Sequence, residues 1–162
     1  MPELPEVETI RKDLEQKITK RKILAIEIRK PKIIKNTTKY FQQNLIGNQF
    51  TSVERIGKLL ILKLKKHHLY LLIHLKMTGQ LIYIDPSTVI AGGHSQANEI
   101  KTLPNKHTHC LIKFANQGTL YFNDLRQFGY MQIVTTQQLT DIKQKYGIEP
   151  LTKNFTLQSL TN

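Results

Sequence analysis

The residues best placed to do chemistry stand at the start of the chain. Pro2 follows Met1, and a small second residue usually permits removal of the initiator methionine, which would expose a secondary amine. A free α-amino group titrates around 7.7–8.0, roughly 2.5 units below lysine, so part of it is unprotonated at neutral pH and able to attack an electrophilic carbon. A secondary amine also forms an iminium, an electron sink that opens elimination chemistry. Glu3 follows directly and Glu6 lies three residues on. If both are helical they share a face, and two carboxylates beside an amine can divide general acid and base work. Each feature has a plainer alternative. Many chains begin Met-Pro, and acidic residues are favoured in the first turn of any helix.

The charge balance says what such a site would meet. Lys plus Arg number 24 against 12 Asp plus Glu, a formal net charge of +12. That excess favours a polyanionic partner: DNA, RNA or an anionic membrane. A spanning segment is excluded on length, because no apolar run approaches the roughly 20 residues a bilayer requires. Cys110 is the single cysteine, so the chain can form neither an internal disulfide nor a multi-cysteine zinc site. The acidic start lacks the basic-then-apolar layout of a signal peptide, and a reducing, cytoplasmic setting is the simplest reading.

The elements that must position these residues follow from periodicity. Leu4, Val7, Ile10, Leu14 and Ile18 recur at spacings of three and four, which predicts an amphipathic helix over 4–19. Pro5 suits its first turn, and Lys17, Lys20 and Arg21 crowd its end. Short strands are then predicted at 23–29, 50–56, 59–64, 69–75, 80–84, 110–114, 119–122 and 130–134, with helices at 38–44 and 136–145. The fold class is α+β: a β-sandwich of short, mostly antiparallel strands flanked by helices. Residues 85–107, broken by Asp85-Pro86, Gly92-Gly93 and Pro104-Asn105, read as a long surface loop.

Several segments together carry a resemblance. Residues 1–9, Met-Pro-Glu-Leu-Pro-Glu-Val-Glu-Thr, resemble the N-terminal signature of the formamidopyrimidine-DNA glycosylases. Endonuclease VIII relatives share Met-Pro-Glu but typically differ where this chain has Leu4. Five further blocks resemble family segments in order: Arg55-Ile-Gly-Lys58-Leu-Leu, His74-Leu-Lys-Met77-Thr-Gly79, Lys106-His107-Thr-His109, Asp124-Leu-Arg126-Gln-Phe128-Gly129 and Gly147-Ile-Glu149-Pro150-Leu151.

The resemblance implies a DNA repair enzyme that excises oxidised purines, 8-oxoguanine and formamidopyrimidines, through a Schiff base on the N-terminal proline, followed by strand cleavage at the abasic site. Pro2 matches the nucleophile that attacks deoxyribose C1′ of a flipped-out nucleotide. Glu3 matches the acid that helps to open the sugar, Glu6 a carboxylate that supports the amine, and Lys58 a lysine beside the DNA phosphate. Met77, Arg126 and Phe128 match residues that probe the duplex. Flipping a base leaves a hole in the stack, which an apolar side chain and an aromatic wedge can fill while an arginine fork bonds the orphaned base. On periodicity alone, Met77 and Phe128 would read as core. His74, His107 and His109 match positions that contact DNA phosphate or stabilise the fold. No metal and no cofactor is expected in this chain.

Departures from the pattern are Leu125 for a proline, Gln127 for a second arginine, Lys76 for a glycine and Thr108 for an aspartate. The resemblance implies a catalytic domain over 1–146 and the start of an interdomain linker over 147–162. The family's helix–two-turns–helix and zinc-finger domain would lie beyond it. The expected partner is damaged double-stranded DNA. Two other readings remain: a DNA-binding module that does no chemistry alone, and a basic RNA-binding domain, which accounts for the charge but not for Pro2 with Glu3, Arg126 and Phe128.

Overall fold

The computed structural model describes residues 2–93 and 102–146. Helix α1, Leu4–Ile18, forms where the apolar spacing predicts it and buries Val7, Ile10, Leu14 and Ile18. Nine strands follow: β1 (Ile23–Ile28), β2 (Phe50–Ile56), β3 (Leu59–Leu64), β4 (Leu69–His74), β5 (Gly79–Asp85), β6 (Thr88–Gly93), β7 (Thr108–Phe114), β8 (Thr119–Asp124) and β9 (Tyr130–Thr135). Helix α2, Thr38–Leu45, lies between β1 and β2, and α3, Thr136–Lys145, follows β9. Side chains cap both helices: Thr37 accepts from the Tyr40 amide, and Thr135 and Gln138 form a capping box.

The strands build two antiparallel sheets, one in the order β2-β3-β4-β9 and the other β1-β7-β8-β5-β6. Their inner faces meet in a core that includes Phe50, Leu62, Leu71, Ile73, Tyr83, Phe114 and Phe122. Helix α1 lies against β2 and β6, an edge strand from each sheet, and so closes one open side of the sandwich. Helix α3 covers the outer face of the smaller sheet, where Ile56, Leu59, Ile61, Leu72, Val134 and Leu139 form a second cluster. That explains why β3 is apolar at nearly every position: five of its six residues are buried, some toward each layer.

The long loop expected over 85–107 is corrected in its first part. Thr88–Gly93 is a strand that pairs with β5 through a Pro86-Ser87 turn, with the Asp85 carboxylate accepting from the Ser87 amide. Gly92 reads as a breaker in sequence, but its role is close approach. A Cβ there would come 2.0 Å from Cγ1 of Ile10, so the missing side chain is what lets α1 rest on β6. Residues 94–101 and the expected linker at 147–162 lie outside the described residues.

Gly92→Ala is expected to cost about 1–3 kcal/mol through overpacking. Ile10→Val on top of it should recover part of that loss, giving a double-mutant coupling of about 0.5 kcal/mol or more. Urea midpoints check this, and additive losses would contradict the packing described.

Candidate active site and nucleic-acid interface

The N-terminal site is assembled by a buried ion pair. Arg55, on β2, is 1% exposed. Its Nε donates to Glu8 Oε1 of α1 at 2.8 Å, and its Nη1 donates to the Gly57 carbonyl at 3.2 Å. Arg11 grips the same carboxylate with a two-pronged fork, Nε and Nη2 each at 2.9 Å, and its Nη1 reaches the Val53 carbonyl at 3.0 Å. Arg11, with Arg55 beside it, holds the Glu8 carboxyl down at about 2, against the opposing effect of burial. Helix α1 is thereby fastened to β2, and the turn after β2 is fastened to α1.

That turn carries Lys58. Gly57 adopts φ +55° at the first position of a two-residue hairpin, a conformation that suits glycine. Lys58 Nζ then lies 3.8 Å from a Glu3 carboxylate oxygen. Pro2 is buried immediately ahead of α1. Glu3 is the extended N-cap residue, φ −85° and ψ 166°, so the expectation that Glu3 and Glu6 share a helical face is corrected: the helix begins one residue too late. Glu3 faces Lys58. Glu6, exposed in the first turn, lines a cleft of about 200 Å³ between α1 and β6 with Thr9, Ile10, Asp13 and Gly92.

Strand register brings the remaining candidates to the same pole. Leu59 pairs with His74, and His74 with Tyr130, so the Lys58 turn, the 75–78 segment and the 125–129 loop all leave one end of the smaller sheet. Asp124, 1% exposed, pins the last two. Its Oδ1 accepts from the Thr78 hydroxyl, and its Oδ2 accepts from the Gly129 amide at 2.7 Å. Thr78 Oγ1 in turn accepts from the Arg126 amide at 3.0 Å. A Cβ at Gly129 would sit 2.8 Å from both Asp124 Oδ2 and the His74 carbonyl, so only glycine fits under this clasp.

The clasp holds up a cluster that no part of the described chain covers. Met77 is 43%, Leu125 62% and Phe128 56% exposed, which removes the reading of Met77 and Phe128 as core. The Arg126 guanidinium lies 5.2 Å from the Phe128 ring centre and 3.8 Å from Met77 Sδ. An apolar tip, an aromatic face and a planar five-donor fork therefore stand side by side.

The three histidines separate. His109 is 2% exposed and lies beneath the loop, its Nε2 2.6 Å from the Asp124 carbonyl oxygen. It braces the clasp from inside and is not on the surface where a phosphate would lie. His107 is half-buried, and its carbonyl accepts from the Asp124 amide at 2.9 Å. His74 accepts from the Lys76 amide at Nδ1, 3.0 Å, which leaves its proton on Nε2. Burial, then Lys76 and Lys58, push His74 down to about 4, so the ring is neutral near pH 7.

Two residues that sequence reasoning missed join this rim. His74 stacks on Tyr130 at 5.9 Å, and the Lys35 and Lys76 ammonium groups lie 5.8 and 6.0 Å from the same ring centre. Lys35 precedes Tyr130 by 95 residues, and no local pattern marks it. Among the described residues, no group of three His, Cys, Asp or Glu side chains converges as metal ligands. Burial pushes the Cys110 thiol up to about 12.

Comparison with known proteins agrees with this architecture. Residues 1–131 match the model of the formamidopyrimidine-DNA glycosylase N-terminal domain. The chain is 35% identical over 99% of its length to a formamidopyrimidine-DNA glycosylase from Pelotomaculum thermopropionicum and 37% identical over 99% to one from Desulfitobacterium hafniense. It covers 54% of each of those two proteins, so it spans about half the length of the curated relatives it matches. Among solved structures, a complex of the Lactococcus lactis Fpg with DNA containing an abasic site superposes with a TM-score of 0.73 at 30% identity, covering 91% of this chain and 49% of that one. A complex of the same protein with FAPY-dG-containing DNA also scores 0.73 at 30% identity, covering 91% of this chain and 50% of that one. A two-sheet domain with a helix-borne N-terminus and a raised Met-Arg-Phe rim is thus a DNA glycosylase domain by fold. The chain belongs to the formamidopyrimidine-DNA glycosylase family, through its N-terminal domain.

Lys76 holds φ +51° where the family pattern has glycine. Lys76→Gly should raise stability by about 0.5–1 kcal/mol, the relief of left-handed strain less the entropy glycine adds to the unfolded chain. The same change should weaken duplex binding and lower the salt slope of log K by about 0.9. Urea melts and fluorescence anisotropy across a salt series check the two, and an unchanged slope would remove Lys76 from the interface.

Proposed function

We propose that this domain acts on damaged DNA with the amine of Pro2 as nucleophile, once Met1 is removed, and that it cleaves the strand at abasic sites. The observation that carries the reading is the meeting of Pro2, Glu3 and Lys58 at one pole with the exposed Met77, Arg126 and Phe128. At an abasic site the amine adds to the C1′ aldehyde and water leaves, forming an iminium. Loss of a C2′ proton then expels the 3′ phosphate, and hydrolysis of the iminium frees the chain. Glu3, the carboxylate next to the amine, gives and takes the protons. Lys58 holds a phosphate as a point charge, and neutral His74 offers its Nε2–H to another.

With a damaged base still attached, the same amine would attack C1′ and displace it, with oxidised purines as the expected substrates. Met77 and Phe128 would fill the space left in the stack and Arg126 would bond the orphaned base. Glu6, in its cleft one helical turn from the amine, supports the first turn of α1 in this scheme. The abasic-site step asks least of the chain, because no base need be flipped or released. The proposed chemistry draws on the chain's own side chains and amine, with no cofactor, and a cytoplasmic setting beside chromosomal DNA is proposed with it. No described helix is long and apolar enough to cross a membrane.

The test is strand cleavage of an end-labelled duplex bearing one abasic site. Glu3→Gln should slow cleavage about 10²-fold while leaving duplex affinity nearly unchanged. A chain that keeps extra residues ahead of Pro2, so that the amine is an amide, should not cleave at all. Equal cleavage by the extended and processed chains would refute the assignment. Tighter binding of single-stranded RNA than of abasic duplex would favour the RNA-binding alternative.

A further inference from the structure

The pole opposite Pro2 holds a second concentration of positive charge. Three segments meet there: Lys20-Arg21-Lys22 between α1 and β1, residues 46–49 leading into β2, and Lys65-Lys66-His67-His68 between β3 and β4. Backbone hydrogen bonds lock them together, from the Lys20 amide to the Phe50 carbonyl at 2.8 Å and from the Lys65 amide to the Gln49 carbonyl at 2.9 Å. Asn48, 2% exposed, is the pin. Its Oδ1 accepts from the Gln49 and Lys66 amides, and its Nδ2 donates to the Asn44 and Lys66 carbonyls.

The surface so built is wholly basic. All seven basic side chains are exposed, and residues 19–22, 46–50 and 64–69 contain no Asp or Glu. Among the described residues none of the seven takes part in an ion pair. Lys20, His67 and His68 hold φ of 62°, 74° and 54°, a region that residues with a side chain disfavour and that turns usually give to glycine or asparagine. Basic residues occupy these turns at a conformational cost. Distance separates the surface from the candidate active site. The fifteen residues of α1 and the six of β3 each run between the poles, about 20 Å apart by either measure.

We propose that this pole is a second nucleic-acid backbone site, which takes the phosphates of a separate duplex segment while the first pole holds its own, so that one chain bridges two stretches of DNA. The proposal rests on the reading of the Pro2 pole as a DNA-binding face. Its exposed basic side chains, lysine, arginine and histidine, are phosphate partners, and they stand on turns rather than on a helix or ribbon that could enter a groove. Ile46 is the one exposed large apolar side chain in the three segments, which gives little to insert into lipid.

The experiment is sedimentation velocity of the chain saturated with a short undamaged duplex at low salt, reading duplexes bound per chain. The parent should bind two. Lys20→Gln, Lys22→Gln, Lys65→Gln and Lys66→Gln combined should bind one, with its melting temperature kept, and the same four positions as Arg should bind two again. A parent that binds one duplex which the Gln variant keeps, or a Gln variant that still binds two, overturns the proposal. A Gln variant that keeps two duplexes but loses anionic phosphatidylserine vesicles would assign the surface to a membrane and overturn it as well. A parent with one duplex and a Gln variant with none would uphold this site and count against the Pro2 pole, so the two readings fail separately.

Discussion

A guanidinium sealed from water has to be paired, and Arg55 at 1% exposure makes that demand at the centre of this domain. Glu8 meets it from α1, and the Gly57 carbonyl meets it from the hairpin turn. These two contacts join the elements that carry the candidate site. The first brings the N-terminal amine and Glu3 to the sheet, and the second presents Lys58 to them. Removing Glu8 would take the carboxylate from a buried guanidinium and loosen the start of the helix that carries Pro2, so stability and the geometry of the site are coupled through this interaction. Arg11 reinforces it by binding both the Glu8 carboxylate and the β2 backbone.

Asp124 plays the matching part on the other half of the rim. The chain passes from the larger sheet to the smaller one between β8 and β9, and the crossing loop has only five residues, 125–129. Asp124 ties the start of β5 to the start of β9 across this gap, with His109 bracing its carbonyl from within. With the base of the loop fixed, its tip can stay apolar and exposed. Leu125 and Phe128 in water, like Gln127 at φ +62°, are unfavourable in the free chain and make sense against the bases of an opened duplex.

Much of this could be read before the structure. Strands β2 and β3 fall at 50–56 and 59–64 as the pattern predicts, because a core between two sheets imposes alternation and a covered outer face imposes continuous apolar runs. Strand β6 was hidden because Gly92 serves the approach of Ile10, a contact between residues about eighty apart that no local signal encodes. The Pro2, Glu3 and Lys58 grouping followed from the resemblance, and the structure brings Glu3 to 3.8 Å from Lys58. The shared face of Glu3 and Glu6 failed on a single residue of helix phase. Tyr130 and Lys35 were invisible because sheet register brings Tyr130 to His74 and a backbone bond from the Lys35 amide to the Met131 carbonyl brings Lys35 to Tyr130.

The central claim is that Pro2 is a nucleophile held in place for attack on deoxyribose C1′. It is tested most directly by adding borohydride to the processed chain on an abasic duplex and mapping the product by peptide mass spectrometry. The account predicts a covalent sugar adduct on the Pro2 nitrogen. An adduct on a lysine, or none from a chain confirmed to begin at Pro2 and to bind the duplex, would contradict it.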